Sequence, residues 1–517
     1  MPKIVKDALF DLVQSLTKSE KRQFKLYVGR LGVNEDAKFM ALFDVLEKLS
    51  AYDETEILKN GSIKKRQLSN LKAHLYKQIL ISLRLSPAHQ NIRVQIREQL
   101  DFASILYHKG LYNQSLKILD KAKNVALQYE EKNSAYEIIE LEKVIESQYI
   151  TRSISNRADE LTVQAATLSK LNVLASKLSN LSLQLYGIFL KTGYVKNDAE
   201  FQNISRYFHD RMPEYDIESL GFREKLWLNK AYLWYSFLSQ DFRACYRYAL
   251  KWVRLFYEHP DMIRLNPVFF LRGQQYLLEA LFYIQDITRF KEALQQFEDT
   301  VTASDFPKDD NVNGLIFLHR YSHKINLHFM EGTFAQGLQL ESEVLQGIKQ
   351  HRQRLDDHHV MLFYYKIACL YFGAGQNKKC IEYLDKIISN KSLEMREDLL
   401  CYSRILNLVA HYEAGEDYHL DRLIKSTYKF LRKTEDLYQV QKEMIQFLRN
   451  LGNIYPHDLK HEFRKLHTKL KTYEDDPYER RSFLYLDILS WLESHISGKS
   501  IPEIIQEKAA KHPSLSK

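Results

Sequence analysis

The sequence predicts an all-α fold, and three observations carry that prediction. Apolar residues recur at helical spacing along nearly the whole chain, and no run of strict apolar–polar alternation marks a strand. Glycine (17) and proline (10) are scarce in 517 residues, too few for the many tight turns an all-β fold requires. The 33 Tyr and 27 Phe supply large, semi-polar surfaces for packing helix on helix.

At the N-terminus, residues 38–50 and 52–60 read as two short helices and residues 64–85 as a longer one. On a helical wheel Leu68, Leu71, Leu75, Ile79 and Leu83 form one apolar stripe with Tyr76 at its edge. Arg66, Lys77 and Arg84 fall nearly in line on the opposite side, beside Gln67, Asn70 and His74. The surrounding stretch from Ile57 to Arg97 holds nine Lys or Arg and no acidic residue, while the whole chain carries a net charge of only +8. Such a face suits an acidic protein or a nucleic acid, contacted through Arg66, Gln67, Asn70, Lys77 and Arg84. A polar outer surface is also what the terminal unit of a solenoid needs for solubility. No recognition-turn motif and no β-wing accompany this helix, so the solvated cap or acidic-protein contact is the favoured expectation.

Breaks that combine Pro with Asp, Asn or Gly fall at 85–91, 209–216, 257–267, 304–314 and 473–479. None is a long linker, so helices follow one another closely. Four turns share a pattern: 107–122, 329–344, 371–387 and 412–427 each end a helix, turn at a glycine (Gly110, Gly332, Gly375, Gly415) and begin another. Ser115, Gly337, Cys380 and Leu420 follow at the position where the two helices approach most closely. The turns at 238–252 and 286–300 lack the glycine but keep an aromatic and then a small residue, Phe242/Cys245 and Phe290/Ala293.

These residues resemble the tetratricopeptide repeat, in which two antiparallel helices stack into a superhelix. The resemblance is strongest at Phe102, Ala103, Leu106, Gly110, Tyr112, Ser115, Leu119 and Ala122, and at Tyr364, Ile367, Ala368, Tyr371, Gly375, Cys380, Leu384 and Ile387. The turns recur at about 40 to 48 residues instead of 34, which implies longer helices or a relative of that repeat. The expected architecture is a right-handed α-solenoid of about nine antiparallel hairpins: a basic helical unit over 1–90, the superhelix over 91–470, and C-terminal capping helices and a tail over 471–517.

By the same resemblance, the first helix of each hairpin lines a concave groove used for peptides. The inward positions fall on Trp227, Lys230 and Trp234, then Gln275 and Glu279, then His319, His323 and Asn326, then Tyr365 and Lys366. The Lys/Asn/Arg set with which some such repeats hold a C-terminal carboxylate is not present, so that ligand is not expected. The chain also lacks a phosphate-binding loop, a dinucleotide fingerprint, a nucleophile elbow and HExxH. His319/His323 and His457/His461 have the i,i+4 spacing of zinc ligands but no local third ligand. Asp356 or Asp357 reads as a helix cap. Cys245, Cys369, Cys380 and Cys401 lack CxxC spacing and read as buried thiols in a reducing compartment. With no secretory leader and no 18-residue apolar run, the expectation is a cytoplasmic, non-enzymatic protein that needs no cofactor and no membrane. It would hold a protein or peptide along its groove; the alternative is a transcriptional regulator with a nucleic-acid-binding N-terminal unit and ligand-sensing repeats.

Overall fold

The computed structural model describes residues 7–31, 36–59, 63–86, 91–148, 156–352, 354–390, 397–415, 417–431, 439–450, 457–474, 476–479, 483 and 487–511. Among them every regular element is a helix, and there is no strand. The chain divides into two compact units, residues 1–168 and 169–517.

The first unit begins with α1 (Ala8–Ser15), α2 (Lys18–Leu31), α3 (Asp36–Lys48), α4 (Glu54–Lys59) and α5 (Lys65–Arg84). These enclose their own core around Val13, Phe24, Phe39, Leu42, Phe43, Leu75 and Ile79. The apolar stripe of α5 faces that core, with Leu68, Leu75 and Ile79 buried and Leu71 and Leu83 at its margin. Lys72 turns to the side, its Nζ 2.5 Å from Asp7 and 2.7 Å from the Tyr52 hydroxyl.

A second core lies among α6 (Ile92–His108), α7 (Tyr112–Gln128), α8 (Lys132–Gln148) and the start of α9 (Arg157–Thr192). Ser115 is fully buried and its Oγ donates to the Ala103 carbonyl at 2.8 Å, the close approach its size permits. Phe102, placed by the repeat pattern at a packing position, is instead 44% exposed. Glu142 is also fully buried; its Oε2 lies 2.6 Å from Lys123 Nζ and its Oε1 3.2 Å from Arg157. Desolvation nevertheless holds the Glu142 pKa above its ordinary value, so this network ties α7, α8 and α9 together against a burial cost.

The second unit runs from the remainder of α9 through α10 (Asp198–Arg211), α11 (Phe222–Leu238), α12 (Phe242–Glu258), α13 (Pro260–Leu265), α14 (Pro267–Tyr283) and α15 (Ile287–Thr302). It continues with α16 (Asp310–Glu331), α17 (Phe334–Gly337), α18 (Glu341–Gln350), α19 (Asp357–Gly373), α20 (Asn377–Ile388), α21 (Glu397–Glu413) and α22 (Asp417–Leu431). Last come α23 (Gln439–Asn450), α24 (Leu459–Lys471), α25 (Ile488–Ser497) and α26 (Ile501–Lys511).

Consecutive helices pack as hairpins, α11 with α12, α14 with α15, α19 with α20 and α21 with α22. The turns share one geometry. The N–H beyond each turn reaches back five residues to a carbonyl: Asp241 to Ser236 at 3.0 Å, Asp286 to Leu281 at 3.2 Å, Thr333 to His328 at 3.0 Å and Gln376 to Tyr371 at 2.8 Å. The geometry demands a left-handed residue. Gly332 and Gly375 supply it at φ 66° and 73°, while the two turns without glycine force Gln240 and Gln285 to φ 58° and 57°. From Gln240 through Gln285, Gly332 and Gly375 to Gly415, turns recur at about 40 to 47 residues, as the sequence pattern predicts.

Asp241, Asp286, Asp309 and Asp356 then cap the helices that follow, each accepting from the N–H three residues on at 2.8 to 3.1 Å. Cys245 and Cys380 are fully buried in their hairpins. All four cysteines are free and buried. The Leu420 side chain lies outside the described residues.

The C-terminal helices return to the middle of this array. The last helix, α26, packs on α16, where a Cβ on Gly332 would come within 2.9 Å of the Pro502 carbonyl. Trp491 Nε1 and His495 Nε2, both from α25, bond Glu413 at the end of α21 at 2.6 Å each.

Candidate ligand-binding face

The first helices of successive hairpins touch directly, α14 with α16, α16 with α19, and α19 with α21. Aromatic contacts extend this layer to α11: Trp227 meets Phe269 at 5.6 Å and Trp234 meets Tyr276 at 5.6 Å, both edge-on. A row of polar side chains runs along its face because each helix places residues three, four or seven apart on one side.

Lys230 lies at the α11 end, its Nζ 4.7 Å from the Trp227 ring and 5.6 Å from the Phe269 ring. Burial, with the neighbouring Arg272 charge, lowers its pKa to about 8. On α14, Glu279 accepts the Tyr283 hydroxyl at 2.9 Å. On α19, Lys366 donates to the Ser322 carbonyl at 3.0 Å and to Asn326 Oδ1 at 2.6 Å. It keeps part of its surface open, yet burial brings its pKa down to about 8 even with the Glu279 carboxylate favouring the charged form. Among the described residues no carboxylate comes within ion-pair distance of Lys230, Arg272 or Lys366.

The sequence-predicted residues divide by depth. Trp227, Lys230, Gln275, Glu279 and Lys366 are half-buried and present surface on the face. Trp234, Asn326 and Tyr365 are buried and form its floor. His319 and His323 are each only 3% exposed, and all four of their ring nitrogens lack a hydrogen-bond partner. Burial drives the His319 pKa down to about 3 and that of His323 well below its ordinary value, so both are neutral at physiological pH. They back the face and do not line it.

Between α9, α11, α12 and α14 lies a cavity of about 290 Å³. Lys230 and Trp234 line it from α11, and Arg272 and Tyr276 from α14. Ser182 and Tyr186 of α9 and Trp252 of α12 add to its polar lining. The sequence pattern overlooks Arg272, although it stands three residues before Gln275 and seven before Glu279 on the same helix. Ser182 and Trp252 come from helices the pattern leaves out. A larger cleft of about 530 Å³ lies where α26 crosses the hairpin turns; its carboxylate, Glu413, is already engaged by Trp491 and His495.

In the first unit, Arg66, Gln67, Asn70, Lys77 and Arg84 are all exposed on α5. Arg84 lies 3.4 Å from Asp101, and the exposed Tyr76 and Leu80 interrupt the basic stripe. Among the described residues no group of three or more His, Cys, Asp or Glu is placed to hold a metal ion, and no helix is long and apolar enough to cross a membrane. Compared with protein-family models and with curated proteins, the chain matches none.

Proposed function

We propose that this helical-repeat chain is a non-catalytic scaffold that holds a protein or peptide segment along the first-helix face of residues 169–517. One observation carries the reading: Lys230, Arg272 and Lys366 share this face with no carboxylate among the described residues in ion-pair distance, and both lysines carry their charge at the expense of burial. A folded chain tolerates such cations without an ion-pair partner where a ligand supplies the negative charge. Trp227, Gln275 and Glu279 add apolar and polar contacts on a layer of packed helices, so little ordering cost is incurred on binding.

The test is affinity capture with the full chain, followed by the Lys230→Glu/Lys366→Glu double variant. The reading expects partners whose retention falls at least tenfold in the variant and persists with Gln296→Glu on the outward side of α15. An identical partner set across all three proteins refutes it.

A second reading rests on a different observation, the exposure of Arg66, Gln67, Asn70 and Lys77 on α5. It makes residues 1–90 a nucleic-acid contact. Affinity for duplex DNA or RNA should then fall steeply with salt and be lost in the Arg66→Ala/Lys77→Ala/Arg84→Ala variant. No binding at low salt removes it.

A further inference from the structure

The cavity between α9, α11, α12 and α14 has an unusual chemical bias. Its charged lining consists of Lys230 and Arg272, and no acidic residue borders it. Two further polar groups at its wall are buried and without a hydrogen-bond partner: Ser182 Oγ and Trp252 Nε1, on residues fully removed from solvent. An indole N–H can only donate, as can the ammonium and guanidinium groups; the serine hydroxyl can donate as well. Buried donors without acceptors are costly, and native proteins keep few of them. Two such groups, beside a half-buried ammonium and an exposed guanidinium that no carboxylate among the described residues pairs, describe a site short of acceptors.

The rest of the wall is aromatic. Tyr186 packs on Trp234 at 4.8 Å, Trp234 on Tyr276 at 5.6 Å and Tyr276 on Trp252 at 5.9 Å. Gly273 belongs to the same construction, since a Cβ there would come within 2.9 Å of the Trp252 ring. The volume is that of one flat ring with a small charged group, at the lower end of small-ligand pockets.

We infer that this cavity binds an organic anion, with a carboxylate or phosphate group held between Lys230 and Arg272 and a flat apolar body packed among Trp234, Trp252 and Tyr276. The site stands by itself for a free anion, and rests on the scaffold reading where the anion is the anchor side chain of a bound peptide. In either case the ligand brings negative charge to two cations that no carboxylate among the described residues pairs, through charge-assisted hydrogen bonds. The depressed pKa of Lys230 adds a signature: affinity declines as pH rises through about 8, where the free site loses its ammonium charge.

The experiment titrates the full chain by calorimetry with phenyl phosphate, 3-phenylpropanoate, the neutral 3-phenylpropanamide and inorganic phosphate. It then uses a peptide carrying phosphotyrosine and one carrying a Phe-Glu pair. One of the aromatic anions should bind at least tenfold more tightly than the neutral amide and than inorganic phosphate. Lys230→Met and Arg272→Met should each cost about tenfold or more, and Lys230→Arg should retain binding within a few-fold.

Equal affinity for a free anion and its peptide form identifies a small molecule as the source. A tenfold preference for the peptide form identifies a side chain. Absence of binding by every anion, or equal binding of anion and amide, overturns the proposal. If that result accompanies partner loss in the Lys230→Glu/Lys366→Glu variant, only the anion site falls. Anion binding without partner loss removes the scaffold reading instead.

Discussion

Replacing Lys366 with methionine should make the second unit more stable at neutral pH, and the size of the gain follows from the structure. Moving the amine from 10.5 to about 8 means the charged form is disfavoured on folding by roughly 3 kcal/mol. Lys366→Met removes that cost. It also removes the hydrogen bonds to the Ser322 carbonyl and Asn326 Oδ1, worth about 1 kcal/mol each. The net expectation at pH 7 is a gain of about 1 kcal/mol.

The sign then depends on pH. Below pH 8 both folded and unfolded wild type hold the proton, and the cost is present in full. Between pH 8 and 10.5 the unfolded chain binds more protons than the folded one, so wild-type stability rises with pH. The methionine variant gains nothing over that range, and its advantage becomes a deficit of roughly 2 kcal/mol by pH 10.5. Urea unfolding followed by tryptophan fluorescence reads the right unit, because Trp227, Trp234, Trp252 and Trp491 all lie within residues 169–517. Other titrating groups cancel in the difference between the two proteins. A loss of more than about 1 kcal/mol at pH 7, or a difference that stays flat from pH 7 to 10.5, refutes the reasoning.

Three further outcomes test the packing. Gly375→Ala meets open space but keeps a left-handed backbone, so it should cost about 1 kcal/mol in urea unfolding, from strain alone. Gly273→Ala should cost about 1–3 kcal/mol by pushing its methyl against Trp252, with a shift in tryptophan emission that Gly375→Ala lacks. In the first unit, Lys123→Met should destabilise by about 3–5 kcal/mol, read by hydrogen exchange of α7 and α8, because it leaves the Glu142 carboxylate buried with Arg157 alone. Adding Glu142→Leu should restore much of that loss.

Local features were the legible ones. Glycine at a left-handed turn, a small residue at a close helix approach and aspartate at a helix start each follow from steric or hydrogen-bonding needs of neighbouring residues, and Gly375, Cys380 and Asp356 fill those roles. The α5 stripe was readable for the same reason, since helical period alone sorts Leu75 from Lys77. Gln240 and Gln285 show the limit. Nothing about glutamine announces a left-handed backbone; the turn imposes it once the flanking helices pack.

Depth was illegible as well. His319 and His323 share a helix face with groove positions, but spacing does not say how far a neighbouring helix covers them. The return of α26 to α16 joins segments about 170 residues apart through contacts no local pattern encodes. Ser182, Trp252 and Arg272 come together only because four helices converge, and the lack of a partner for Ser182 Oγ and Trp252 Nε1 appears only when every neighbour is in place.

The central claim is that the first-helix face meets a ligand. A photoreactive residue placed at Gln275, which is half-buried on that face, tests it directly against the same residue at Gln296, exposed on α15. Illumination of the full chain in its native extract should yield a discrete crosslinked product from position 275 and none from 296, with the product suppressed by Lys230→Glu/Lys366→Glu. Equal labelling from both positions, or a product at 275 indifferent to those charge reversals, would contradict it.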